Sequence, residues 1–332
     1  MSDFNKSSQR LRRTGIRLVD KKIRIARFNN SKQAHDFTLP SNCSGWGRIH
    51  HFRRSQGAGW PLDPLPIDPA FHALCMPDAD EIRAQVFQNA ICNFCCWYCY
   101  VDRQLIAANP EYSDFLNVDE MLAFYLADSN RPPMIDLSGG QPDLVPEWIL
   151  WFADSLHNRQ LSKEVYLWSD DNLSTDYLWR FLNRKEIKRL SSYKNYGRVG
   201  CFKGFDEYSF SFNTATPSEL FKTQFSLMRK LVVFGFDVYG YVTLTSDQDR
   251  HLNCRIADFI DRLQSEVHPL FPLRTVPQRI LKFTPNRERI RVKHQRALEI
   301  QNEAAYLWQK EIEKRYSLSM REKRIYEHKL IA

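Results

Sequence analysis

Four cysteines fall within eight residues of this 332-residue chain, in the run Cys92-Asn-Phe-Cys95-Cys96-Trp-Tyr-Cys99. Read as Cys92-x3-Cys96-x2-Cys99, three thiolates cluster on one tight loop, with Tyr98 just before the third. Three such thiolates can hold three irons of a [4Fe–4S] cubane and leave the fourth without a protein ligand, whereas electron-transfer clusters use four thiolates. An open iron implies that a substrate or cofactor binds there. The same residues carry other readings. Thiols this densely packed cannot all reach disulfide geometry with one another. A zinc site needs four ligands, usually as two separated pairs, and no second pair is evident. Cys92-x2-Cys95 and Cys96-x2-Cys99 also read as interleaved redox dithiols. Cys43, Cys75, Cys201 and Cys254 are scattered singly, as small buried apolar residues usually are.

The Cys92-x3-Cys96-x2-Cys99 spacing with its aromatic Tyr98 resembles the signature of the radical SAM superfamily. The resemblance implies that Cys92, Cys96 and Cys99 ligate a [4Fe–4S] cluster and that Cys95 is a bystander. It implies that S-adenosylmethionine (SAM) chelates the open iron and is cleaved by electron transfer to a 5′-deoxyadenosyl radical. It also implies a partial (β/α)6 TIM-like barrel, whose strand ends converge on one mouth.

Elements of that kind follow in order. Arg83–Gln88 reads as a strand leading into the cysteine loop, and Val118–Leu126 as a helix capped by Asn117. Met134–Leu137 is a strand, Glu147–Leu156 a helix, Glu164–Trp168 a strand, and Asp176–Asn183 a helix capped by Ser174. Arg198–Phe202 is a fourth strand. Thr216-Pro217-Ser218-Glu219 opens a long helix ended by Gly235. Asp237–Thr245 is a fifth strand, Arg255–Val267 is amphipathic, and Leu281–Thr284 reads as the sixth strand. Such alternation implies a parallel sheet with right-handed crossovers.

Polar motifs end these strands. Ser138-Gly139-Gly140-Gln141-Pro142 resembles the family's GGEP-type motif, where glycines let backbone carbonyls approach the SAM amino group. Gln141 stands where Glu is more usual. Ser169-Asp170-Asp171-Asn172 falls where the family places side chains on the SAM ribose, though Asp and Asn are also good N-caps. From this run Ser169, Asp170 and Asn172 are taken as SAM contacts, together with Tyr98. Lys203 resembles the lysine of an Asp-Leu-Lys segment in glycyl-radical-enzyme activases, where a cation pairs with the SAM carboxylate. Thr243 and Thr245 face the barrel in this reading. Cys201 and Tyr241 are candidate hydrogen-atom donors, although packing is their commoner role. No catalytic base is assigned. The resemblance covers about residues 82–285 and is strongest over 90–145.

Composition bounds the rest. At 43% hydrophobic the chain can bury one or two domain cores, and with mean hydropathy −0.49 it holds no apolar run near the roughly 20 residues that span a bilayer. The amino terminus lacks the apolar stretch of a signal peptide, and the cysteines do not form an extracellular disulfide framework. A cytoplasmic location is the expectation. Residues 1–60 carry 13 Lys+Arg against 3 Asp+Glu and residues 274–332 carry 15 against 7, so the middle is acidic. Basic ends suit nucleic acid or an acidic partner, but nothing in them is diagnostic of nucleic-acid readout. Lys293–Tyr316 reads as a docked amphipathic helix. Gly59–Phe71, with four prolines, reads as an extended segment on the barrel, and His50, His51, Arg53 and Arg54 before it as surface.

The expected organisation is a basic N-terminal extension (1–80), a radical SAM core (81–285) and a basic C-terminal helical segment (286–332). The expected function is reductive cleavage of SAM at a [4Fe–4S] cluster, fed by a flavodoxin- or ferredoxin-like electron donor, with the substrate, protein or small molecule, left open. The core is similar to that of the activases. The rival readings are a zinc or iron–sulfur module that binds nucleic acid through its basic ends, and a dithiol oxidoreductase.

Overall fold

Strands buried on both faces occupy the middle of the chain, and they define the architecture. The computed structural model describes residues 3–29, 31–32, 41–55 and 63–331. Its strands are β1 (Ile16–Arg17), β2 (Lys22–Ala26), β3 (Gly47–Arg53), β4 (Glu81–Gln88), β5 (Ser113–Asn117), β6 (Met134–Ser138), β7 (Tyr166–Asp171), β8 (Tyr196–Phe202), β9 (Val238–Thr243) and β10 (Thr275–Gln278). Seven of them form one curled half-barrel sheet in the order β10-β9-β8-β7-β6-β4-β3. All neighbours in it are parallel except β3, which runs antiparallel to β4 from Gly47↔Phe87 to Arg53↔Glu81. Every residue of β6, β8 and β9 is buried, as expected of parallel strands covered on both faces.

The helices cover one face. Val118–Ala127 begins at Asn117, whose side chain accepts the Glu120 N–H while Glu120 returns the bond, and Glu147–Asn158 follows β6. Their apolar sides join a continuous core that includes Trp148, Phe152, Phe225 and Phe259. The other face is filled differently. Trp168, Val199, Cys201, Tyr239 and Tyr241 pack there against Leu65, Ile67 and Phe71, so the helix Ile67–Leu74 plugs the bottom of the half-barrel. A small antiparallel sheet, β1-β2-β5, lies beside the chain flanking the cysteines.

Several expectations shift. The segment 59–71 is not extended throughout: Ile67–Leu74 is helical, while residues 59–62, Pro61 among them, lie outside the described residues. The sixth parallel strand is Thr275–Gln278, not Leu281–Thr284; Pro277 is tolerated because β10 is an edge strand. Residues 281–283 instead lead into a short helix, Thr284–Arg287. Asn183 ends no helix. It caps a new one, Arg184–Ser191, through a reciprocal bond with Glu186. Ser174 caps nothing and bonds Asn93 instead. Glu207–Thr214, unforeseen, is a helix capped by Asp206. The last long helix, Val292–Arg315, docks through Ala297, Ala304 and Trp308, the Trp308 ring 6.1 Å from Phe259. Among the described residues no helix is long and apolar enough to cross a membrane.

Candidate active site at the mouth of the half-barrel

The chain leaving β4 turns at Asn89, whose side chain accepts the Ile91 N–H (3.1 Å) and donates to the Gln141 carbonyl (3.1 Å). Gln141 N–H returns a bond to the Ile91 carbonyl at 2.7 Å. The Gly139-Gly140 turn after β6 is thereby pressed onto the start of the cysteine loop. Both glycines have positive φ (71° and 64°), and a Cβ on Gly140 would strike the Asn89 and Ile91 carbonyls. Glycine is required here by conformation and by space.

Cys92, Cys96 and Cys99 line one cavity at this mouth, with Tyr98 beside them. Cys95 is exposed and outside that lining, its N–H donating to the Thr214 carbonyl at 3.1 Å. Burial pushes the Cys96 thiol up to about 11 and raises Cys92 as well. Tyr98 Oη lies 3.1 Å from Thr243 Oγ1 at the end of β9. Trp97 Nε1 donates to Asn213 Oδ1 (3.0 Å), and Asn213 Nδ2 donates to the Lys203 and Thr245 carbonyls (2.9 and 3.1 Å). The unforeseen helix Glu207–Thr214 thus fixes the cysteine loop to the ends of β8 and β9.

The β6 and β7 ends are tied by Gln141. Its Nε2 donates to Asp171 Oδ1 (2.7 Å) and its Oε1 accepts the Asn172 N–H (2.9 Å). Asp171 Oδ2 accepts from Arg198 at 3.1 Å, and Arg198 also reaches Asp143 at 2.7 Å, all three buried. Asp171 and Asp143 keep the buried guanidinium charged. Sequence reasoning missed Arg198 and Asp143, which come from the middle of β8 and from the turn after Gln141.

Of the expected contacts, Ser138, Gly139, Gly140, Gln141, Asp170, Asn172 and Lys203 line the cavity with the three cysteines. Ser169 and Pro142 do not: the Ser169 hydroxyl lies 2.8 Å from Tyr196 Oη on the other face of the sheet, and Pro142 begins a buried turn. Burial lifts the Asp170 carboxyl to about 7, against the pull of Lys203. Asp136, hydrogen bonded by Ser138 Oγ at 2.9 Å, is raised by burial and by Asp170. Burial works to lower Lys203, but Cys201, Tyr98, Cys96 and Asp170 together raise it above its ordinary value.

The cavity also takes residues from before β4. Arg48, His50 and Phe52 alternate inward from β3, and Asp63 joins them. The His50 side chain is 12% exposed, 3.8 Å from Asp63, so it is not the surface histidine expected. Only His51 fits that reading, paired with Glu81. Cys201 and Tyr241 face the cavity too, with Tyr241 Oη bonded to Asp63. Among the described residues no three His, Cys, Asp or Glu side chains close on a point as a single metal ion requires.

No protein-family model matches the chain, and no curated protein matches it. Solved structures are similar to it at low identity. One is Streptococcus suis SuiB bound to S-adenosylmethionine, at 14% identity and TM-score 0.39, over 53% of this chain and 36% of that one. The chain therefore spans about a third of the length of SuiB. Another is a double mutant of spore photoproduct lyase with bound AdoMet and dinucleoside spore photoproduct, at 12% identity and TM-score 0.45, over 68% of this chain and 72% of that one.

Proposed function

We propose that the chain is a radical SAM enzyme, with Cys92, Cys96 and Cys99 as ligands of a [4Fe–4S] cluster. The observation that carries this reading is that these three thiols, without Cys95, share one cavity with the Gly139–Gln141 turn and the polar ends of β7 and β8. Thiols spread around a cavity suit a polynuclear group that takes one thiolate per iron. A zinc ion needs four ligands closing on one point. When bound, the cluster supplies an electron to SAM, whose cleavage gives a 5′-deoxyadenosyl radical able to take hydrogen from an unreactive C–H bond.

The chain's own residues do the holding. Gly139 and Gly140 let that turn sit close on Gln88, Asn89 and Ile91 at the cavity wall, and Gln141 braces it against β7. Asp170 and Asn172 face the same space and suit ribose hydroxyls. Lys203, whose pKa is raised above its ordinary value and which lines the cavity, suits the SAM carboxylate. Tyr98, anchored on Thr243, packs the loop onto β9. In this reading the six parallel strands are the (β/α)6 core, residues 81–285, with 1–80 and 286–332 as flanking segments. A flavodoxin- or ferredoxin-like donor supplies the electron, and the cytoplasm is the expected compartment. The activase resemblance at Lys203 leaves the substrate open.

Anaerobic reconstitution tests the proposal. It expects a brown protein binding about four irons and four sulfides, a reduced EPR signal that changes on adding SAM, and 5′-deoxyadenosine after dithionite. A colourless zinc protein, or a cluster indifferent to SAM, overturns it.

A further inference from the structure

The cysteine loop is gripped from outside by a short stretch of the C-terminal segment. Asn286 Nδ2 donates to the Tyr98 carbonyl at 3.0 Å. Arg289 follows the helix Thr284–Arg287. Its Nη1 donates to the Cys96 carbonyl (3.4 Å), and its Nη2 to the Val101 carbonyl (3.2 Å) and the Cys99 carbonyl. Its Nε and Nη2 also return to Pro285 O at 3.1 and 2.9 Å. The His294 ring stacks on Trp97 at 4.5 Å. The carbonyls of residues 96, 98, 99 and 101 are therefore all taken by side chains from residues 286 and 289.

Arg289 is half-buried, and every hydrogen bond it makes is to a neutral carbonyl. Arg103 and Asp102 lie near it with opposite charges. Withdrawing a cation from water while its hydrogen bonds go only to dipoles is costly. Neutral donors could satisfy the same carbonyls, so holding the loop does not by itself call for a positive charge.

We infer that Arg289 is a positioning residue that also raises the reduction potential of the group bound by Cys92, Cys96 and Cys99. The inference rests on the cluster reading above. A cluster on three thiolates is anionic and gains a further negative charge when one electron arrives. A guanidinium fixed on the carbonyls of two of its ligand residues favours the reduced form, since net charge and local hydrogen bonding set such potentials.

The test uses the full chain, reconstituted anaerobically without SAM, as wild type, Arg289→Gln and Arg289→Lys. Iron and sulfide analysis comes first: a wild type that binds no cluster defeats the cluster reading itself, separately from this inference. Mediated titration with dithionite, read by EPR, then gives each midpoint. Arg289→Gln is expected to lower the reduced-to-oxidised ratio at fixed potential about tenfold, ~59 mV for one electron. Arg289→Lys, which keeps the charge but not the fork, is expected to stay within about threefold of wild type. A glutamine variant that titrates with the wild type, or two variants displaced equally, overturns the inference. If Arg289→Gln retains no iron, Arg289→Lys decides: a cluster near the wild-type midpoint supports it, and a displaced one refutes it.

Discussion

Gln141 and Asp171 meet through one hydrogen bond, Nε2 to Oδ1 at 2.7 Å, while the other end of the same amide accepts the Asn172 N–H. A carboxylate at position 141 could accept but not donate. It would set a second negative charge against Asp171, which Arg198 already shares with Asp143. Gln141→Glu is therefore expected to destabilise the chain by about 2–4 kcal/mol. Adding Asp171→Asn should recover part of that loss, and a double-mutant cycle by chemical denaturation reads the coupling. Additive losses would mean that the two side chains do not communicate.

The cysteines separate by cavity. Alanine at Cys92, Cys96 or Cys99 is expected to reduce bound iron to near background, about a tenth of wild type or less, because in the proposed cluster each thiolate would hold one iron. Alanine at Cys95, which is exposed, should leave iron and sulfide content unchanged. Metal analysis of the four reconstituted variants checks this. Full loss of iron at Cys95 would make it a ligand and overturn the assignment of Cys92, Cys96 and Cys99 alone.

Gly140 is confined twice, by its φ of 64° and by the carbonyls of Asn89 and Ile91. Gly140→Ala pays about 1–3 kcal/mol for the left-handed backbone alone, with the steric clash in addition. The turn should lift off the cysteine loop, so the variant is expected to melt lower and to take up less iron. Gly235, with positive φ and open space around it, is the control: alanine there should cost only the backbone strain.

Burial lifts Asp170 from 3.8 to about 7. A carboxyl whose pKa is raised on folding binds its proton more tightly in the folded state. Its contribution to stability is therefore full below about 3.8 and is lost as pH rises through about 7. Asp170→Asn stays neutral throughout. In the metal-free chain, its stability relative to wild type is expected to grow between about pH 5 and pH 8. Urea denaturation at a series of pH values measures it, and parallel curves would refute it.

What could be read early was local. The cysteine spacing, the Ser138–Gln141 turn and the strand ends at Asp170 and Lys203 each lie within a few residues, and the structure gathers them around one cavity. What could not be read depends on distant juxtaposition. Glu207–Thr214 has buried residues but no clear apolar stripe, so the helix that carries Asn213 to Trp97 gave no periodic signal. Arg198 sits in a strand buried along its whole length, where an arginine looks out of place until Asp143 and Asp171 are seen beside it. His50 and His51 are neighbours in sequence, yet adjacent residues of a strand point to opposite faces. That alternation was the available clue to sending one inward and the other to Glu81.

The sheet edge beside β4 is completed by residues that precede it in the chain, and so is the floor under Trp168 and Tyr239. A version shortened to start at residue 81 would keep every thiol of the 92–99 run and all six parallel strands. It would still lack Arg48, His50 and Asp63, and its aromatic interior would lie open to water. Such a fragment should aggregate or bind hydrophobic dyes long before its metal-binding capacity could be judged, so the opening quarter of the sequence is a wall of the chamber that no trimmed variant can spare.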